Sequence, residues 1–392
     1  MQQPADIPFE VNGHIHTPYS FSAFENMEQA FRMANDEGIK ALGINDFNTF
    51  EGYDEFDRMS RKYRIFPLFN VEFMGLLEQE QKNGIRINDP ANPGRIYFSG
   101  KGMDYPVRLS EKKEQQFRQT FEESNRQTRT MLHKASQLLT TLDPDLHLDH
   151  QLVMSVLTKG MLRERHIAKA IRLAVFEKYS SENERKAFLS RLFEGKQVKS
   201  SISDEAGIDN EIRGNLLKAG GAAFVKENPK AFLSLDDIIS IITDGGGIPC
   251  YPVLLDDSQG NYTEYEADPE KLFIQLQSRN VCCIELIPGR NDLQALRSFV
   301  EFFERKGFVI TFGTEHNSPK MAPLTLTTRG NTPLDHYLKK VNFEGACLQA
   351  AHQQLRANGE PGLTCTAFFE GAKRKEYIEM GNRIIQSFCQ TQ

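Results

Sequence analysis

Positive charge is in short supply. The 392 residues hold 47 Lys and Arg against 53 Asp and Glu, a net charge of −6. No basic field is there to hold a long nucleic acid by its phosphates. Cysteine is sparse as well: six residues, all in the C-terminal half and none in a CxxC pair. A disulfide framework would be unusual in so large a chain, so reduced, buried thiols are expected. No apolar run approaches the length that spans a bilayer. The start, "MQQPADIPFEVNG", shows neither a basic segment nor an apolar stretch, so no signal peptide is expected, and the reduced thiols make a cytoplasmic setting the expectation. What remains, 39% hydrophobic and 26% charged, is ordinary globular composition with material for a large core.

Strand and helix patterns alternate over residues 9–75. "FEVNGHI" reads as a strand; Met27, Ala30, Phe31 and Ala34 recur at helical spacing; "IKALGIND" and "IFPLFNVEFMGLL" are further strands, and "RIYFSGK" a fourth. Residues 110–230 are charged and helical, and read as an insertion subdomain. Alternation resumes with "GIPCYPVLL", "VCCIELIPG" and "FVITFGTEHN" as strands between helices, and residues 329–392 read as a C-terminal helical extension. Residues 1–109 and 231–328 then form one α/β unit with a parallel sheet of about seven strands, close to a (β/α) barrel. Reactive residues of such barrels sit at the carboxyl ends of the strands.

Histidine is scarce too, nine in all, yet two stand in "HIH" near the start. His14 and His16, two apart on a strand, project to one face. Asp46 ends the second strand, Glu72 lies late in the third, and Glu315 and His316 end the last. A lone HxH, or a lone Asp after a strand, is usually a packing or capping feature. Glu72 inside an apolar strand is more telling, because a buried carboxylate needs a partner. Imidazoles and carboxylates on converging strand ends make the mixed donor set that suits zinc, manganese or iron. His133, His147, His150, His336 and His352 have no partner spacing and read as surface or core residues.

"HIHTPYS", "GIND", "NVE" and "GTEHN" resemble, in order, the four motifs of the PHP (polymerase and histidinol phosphatase) domain family. "RERHIAKAI" is similar to the Arg-Pro-His-hydrophobic-Ala segment of its nucleotide and oligonucleotide phosphoesterase branch. "GGIPCYP" stands where that branch has Gly-Gly … Ala-His-Pro. The resemblance implies a distorted (β/α)7 barrel, TIM-like, with a cluster of two or three metals and phosphoester hydrolysis as the activity. It also shows departures. Phe47 and Tyr97 stand at imidazole positions, Tyr251 (or its neighbour Cys250) at another, and in the last motif Glu315 replaces the Asp and Asn317 the final His, with His316 one place early.

The resemblance thus implies one or two divalent ions held by His14, His16, Asp46, Glu72, His166 and Glu315 or His316, with Asp46, Glu72 and His166 also in catalysis through metal-bound hydroxide. Arg163 and Arg165 at a helix start, Arg290 after a strand, Tyr97, Tyr251 and Asn317 are expected on the substrate side, since arginine forks match phosphate. The expected substrate is a small phosphorylated metabolite or nucleotide. Two other readings fit the altered motifs: a barrel that binds a ligand or partner without turnover, and an amidohydrolase-like enzyme acting on a C–N or lactone bond.

Overall fold

The computed structural model describes residues 8–365 and 371–390. Seven strands form one sheet: β1 (Glu10–Ile15), β2 (Ile39–Phe47), β3 (Phe66–Leu76), β4 (Arg95–Lys101), β5 (Ile248–Val253), β6 (Cys283–Leu286) and β7 (Val309–Phe312). Each pairs with its neighbour in sequence. The expected parallel pairing holds except at β4, which runs antiparallel to both β3 and β5. The chain between β3 and β4 is a short reversal rather than a crossover, and it holds one brief helix, α3 below.

The helices α1 (Met27–Asp36) and α2 (Tyr53–Tyr63) cover the first strands. Asn26 caps α1 through Gln29 N, and Met27, Ala30, Phe31 and Ala34 turn one buried face to the sheet. After α3 (Glu78–Lys82) and β4 come α4 (Glu111–Leu142), α5 (His150–Leu157), α6 (Glu164–Lys178), α7 (Glu182–Leu192) and α8 (Glu205–Ile212). Met131, Leu139, Ile171, Val175 and Leu189 give these helices a core apart from that of the barrel. The first turns of α4 belong to the barrel instead, where Phe117 stacks on Phe50 and meets Phe73 edge-on. α9 (Leu235–Asp244), α10 (Pro269–Ser278) and α11 (Leu293–Arg305) alternate with β5, β6 and β7. No helix among the described residues is long and apolar enough to cross a membrane.

The sheet nearly closes. Ile15 bridges Glu315 in parallel, with His16 N donating to Glu315 O at 2.7 Å and Glu315 N to His14 O at 3.0 Å. Below these bonds the seam is filled by α12 (His336–Ala357). The Asn342 side chain accepts from Phe312 N at 2.8 Å and donates to Val11 O at 3.0 Å, joining β7 to β1 where the strands do not reach each other. Gly345 lets the helix lie against β7, since a Cβ there would overlap Ile310 O. Further along, Gln353 bonds Phe69 N and Pro67 O at the start of β3, and His352 bonds Gly246 O just before β5, a pinned core histidine. The last helix, α13 (Gly371–Gln390), packs on α12, with Gly381 against Cys347 O. One thiol expectation differs: Cys282 and Cys365 form a disulfide with Cα atoms 5.5 Å apart, tying the approach to β6 to the chain after α12. Cys250, Cys283 and Cys347 are free and buried.

Replacing Asn342 by Ala would leave a buried N–H and a buried C=O without their partner. Each such group costs about 1–3 kcal/mol, so a loss of about 3 kcal/mol or more in unfolding free energy is expected from urea titration.

Candidate metal centre

The bulged first strand sends Ile15 into the apolar core and turns His14 and His16 inward. Their Nε2 atoms stand 3.2 Å apart, both rings fully buried. Glu72, reached from β3, places Oε2 at 3.1 Å from His16 Nε2 and 3.7 Å from His14 Nε2. The approach lacks hydrogen-bond geometry, and that buried oxygen has no hydrogen-bond partner. Two ring nitrogens and a carboxylate oxygen, all within 4.8 Å of one another, therefore converge on one point. An orphaned buried carboxylate oxygen facing two imidazole nitrogens is what a divalent cation with nitrogen and oxygen ligands would satisfy.

The opposite edge of each imidazole is occupied. His14 Nδ1 meets Glu285 Oε2 at 2.9 Å. His16 Nδ1 meets Ser20 Oγ at 3.1 Å, and Ser20 donates to Asp46 Oδ1 at 2.5 Å. Asp46 also accepts from Thr17 N at 2.7 Å and from the Thr17 hydroxyl. Its oxygens are thus engaged, and it stands behind His16 instead of beside the convergence point; it orients the ring through Ser20.

The electrostatics suit a cation. Burial, outweighing the nearby carboxylates, lowers the His16 pKa to about 4, so its ring is neutral and free to ligate at neutral pH. Burial also pushes the Glu72 carboxyl up, against the pull of His14, with Glu315 and Glu285 adding to the rise. Burial acts the same way on Glu285, but His14 and Lys101 overcome it and lower that carboxyl's pKa to about 2.

The other expected residues scatter. Glu315 shares a cavity of about 340 Å³ with His14, Glu72, Glu285, Tyr97 and Arg290. It is ion-paired to Arg290 and accepts from Asn317 Nδ2 at 2.9 Å. His316 is turned away: Nδ1 bonds Thr314 Oγ1 and Nε2 bonds Ala322 O, each at 2.8 Å, while the ring stacks on Phe24. The chain turns through positive φ at both Glu315 and His316, which sends their side chains apart. His166 is not brought to the cluster: Nδ1 accepts from Arg163 N at 3.0 Å, and the ring packs edge-on against Phe21. Tyr251 is fully buried with its hydroxyl on Glu266 Oε1 at 2.8 Å, a strut of the core rather than a substrate contact.

A second cavity, about 140 Å³, lies between the barrel and α4 and α6, and Arg163, Arg165, Tyr97, Asn317 and Phe47 line it. Phe47 stacks on His16 with ring centres 4.5 Å apart, and the Arg163 guanidinium lies 4.7 Å from the same ring centre. Arg95 pairs with Glu227, and Arg213 and Lys218 pair with Glu164; among the described residues no carboxylate pairs with Arg163 or Arg165. Glu285, Lys101 and Asn45 were not anticipated. Glu285 carried the same signal as Glu72, an acidic residue inside an apolar strand, "CCIELI".

Residues 12–193 match the family model of the PHP domain. The match covers just under half of the chain. It takes in β1–β4, His14, His16 and Glu72, and helices α4–α7. Among solved structures, a candidate metal-dependent phosphoesterase from Bifidobacterium adolescentis aligns with TM-score 0.52 at 16% identity, covering 87% of this chain and 96% of its own. An amidohydrolase from Chromobacterium violaceum, with bound sulfate and no metal, aligns with TM-score 0.49 at 15% identity over 85% and 96%. Likeness at this level is likeness of fold. No curated protein matches the chain.

Metal analysis of purified protein separates the histidines. His16→Ala is expected to lose the bound ion, falling to less than about a tenth of the wild-type content, whereas His316→Ala keeps it and loses only stability.

Proposed function

We propose that the protein is a metal-dependent hydrolase that cleaves a phosphoester of a small anionic molecule. One observation supports this above the rest: the His14 and His16 nitrogens and the partnerless Glu72 oxygen converge on the wall of a cavity whose neighbour is lined by two arginines, Arg163 and Arg165, that no carboxylate among the described residues pairs. His14, His16 and Glu72 would hold one divalent cation, zinc, manganese or iron, with Glu315 at its edge. Such a cation lowers the pKa of water and polarises a phosphoryl oxygen. Phe47, Tyr97 and Asn317, standing where the family has imidazoles, argue for one ion in place of a cluster.

The remaining chemistry belongs to side chains. Arg163 and Arg165, free of carboxylates, offer planar donor forks to phosphate oxygens. Burial raises the Tyr97 pKa, so its hydroxyl stays protonated and donates toward either cavity. Arg290 is held at the rim by Glu315 and draws an anion to the first cavity. The net charge of −6 disfavours long polyanions, so these cations act locally on a small ligand. An arginine-lined pocket beside the ion suits a phosphate group better than a neutral amide or lactone, and the turnover assay separates hydrolysis from binding alone.

The test is a panel of phosphoesters, amides and lactones assayed with added Mn²⁺. Turnover confined to phosphoesters is expected. Arg163→Met should lower kcat/KM by about 10–100-fold, the worth of one charge-assisted contact, mainly through KM. Activity on amides or lactones alone, or full metal content with no turnover on any class, would reject the proposal.

A further inference from the structure

We infer that Glu285 and Lys101 are positioning residues that set the proton of the His14 ring, so that Nε2 presents a lone pair to the cation. The inference rests on His14 being a ligand, as proposed above, but its geometry is independent of any ion.

Lys101 is the last residue of β4. Because that strand is antiparallel, Lys101 pairs with Ile248 at the start of β5, and its side chain enters the barrel from the end opposite the site. It is fully buried. The ammonium is ion-paired to Glu285 Oε1 and donates to Asn45 Oδ1 at 3.4 Å. The other Glu285 oxygen lies 2.9 Å from His14 Nδ1 and accepts from Ser99 Oγ at 3.4 Å. β1, β2 and β6 thus each contribute one member, and β4 two, to a closed polar network.

Asn45 does not compete for the ring proton. Its Nδ2 is nearly equidistant from His14 Nδ1 and Nε2, at 2.9 and 3.1 Å. In the ring plane such a point would collide with the carbon between the nitrogens, so the amide lies over the ring face. Lys101 can only donate, and this keeps the amide oxygen of Asn45 on the ammonium and its NH₂ toward Ser99. Glu285 is then the in-plane partner at Nδ1. A neutral imidazole has one N–H; a carboxylate can only accept, so the proton sits on Nδ1 and the lone pair on Nε2, toward His16 and Glu72. Lys101, by anchoring Oε1, keeps Oε2 on His14.

Imidazole ¹⁵N NMR on metal-free protein reads this directly, with the His14 signal assigned by its loss in His14→Gln. Wild type should show the Nδ1–H form. In Glu285→Gln, Lys101 attracts the amide oxygen and turns the NH₂ group to His14, moving the ring proton to Nε2. Mn²⁺ affinity by calorimetry should then fall about 10–100-fold. In Lys101→Met combined with Glu285→Gln the amide is free to turn round, and the Nδ1–H form and part of the affinity should return. A mere packing role would give no such recovery. A wild-type His14 protonated on Nε2, or a Glu285→Gln variant with unchanged ring signal and unchanged Mn²⁺ affinity, would overturn the inference. If Glu285→Gln does not fold, the wild-type spectrum decides alone. If wild type binds no Mn²⁺ yet shows Nδ1–H that switches in the variant, the positioning stands and the metal reading fails.

Discussion

A carboxylate taken into the interior of a barrel must be met by positive charge or by donors. Four acidic side chains crowd the upper interior of this one, and three are met from within the protein. Glu285 has Lys101, Glu315 has Arg290, and Asp46 has the donors of Thr17 and Ser20. Glu72 has two imidazole nitrogens at hand and a buried oxygen that bonds neither. The architecture of the centre follows from that imbalance. The lone acid faces the rings, Glu285 and, through Ser20, Asp46 hold the rings from behind, and Glu315 is held at the side by Arg290.

How far the sequence reveals this depends on the residue. His14, His16 and Glu72 were legible because strand periodicity fixes which way a side chain faces, and a charge inside an apolar strand stands out. Glu285 gave the same signal, but no family motif drew attention to it. The seven strands were legible from their alternation with helices; the direction of β4 was not, since a reversal and a crossover begin with the same kind of loop. Glu315 and His316 could not be told apart, because two consecutive positive φ angles separate their side chains and no pattern announces such a turn. Asp46 and His166 satisfied a motif but are engaged by local hydrogen bonds that only coordinates display. Tyr251 reads like a pocket residue until its hydroxyl is found on Glu266, deep in the core.

Three of the residues at positions where the family resemblance expects imidazoles lie near the site. Phe47 packs on His16 and lies under the Arg163 guanidinium, Tyr97 reaches toward both cavities, and Asn317 steadies Glu315. Phe47 and Asn317 thus have contacts of their own within the protein. On the proposed reading the site would hold a single ion, with aromatic and guanidinium groups in the space that further ions would need.

α4 carries a mechanical consequence. At 32 residues it is about 48 Å long. Its first turns are clamped to the barrel by Phe117, its middle supplies Ser124, Gln127 and Thr128 to the arginine-lined cavity, and its last turns lie in the helical core through Met131 and Leu139. A beam fixed at both ends cannot swivel at either. Widening that cavity on its α4 side therefore bends the beam or carries helical core and barrel along with it.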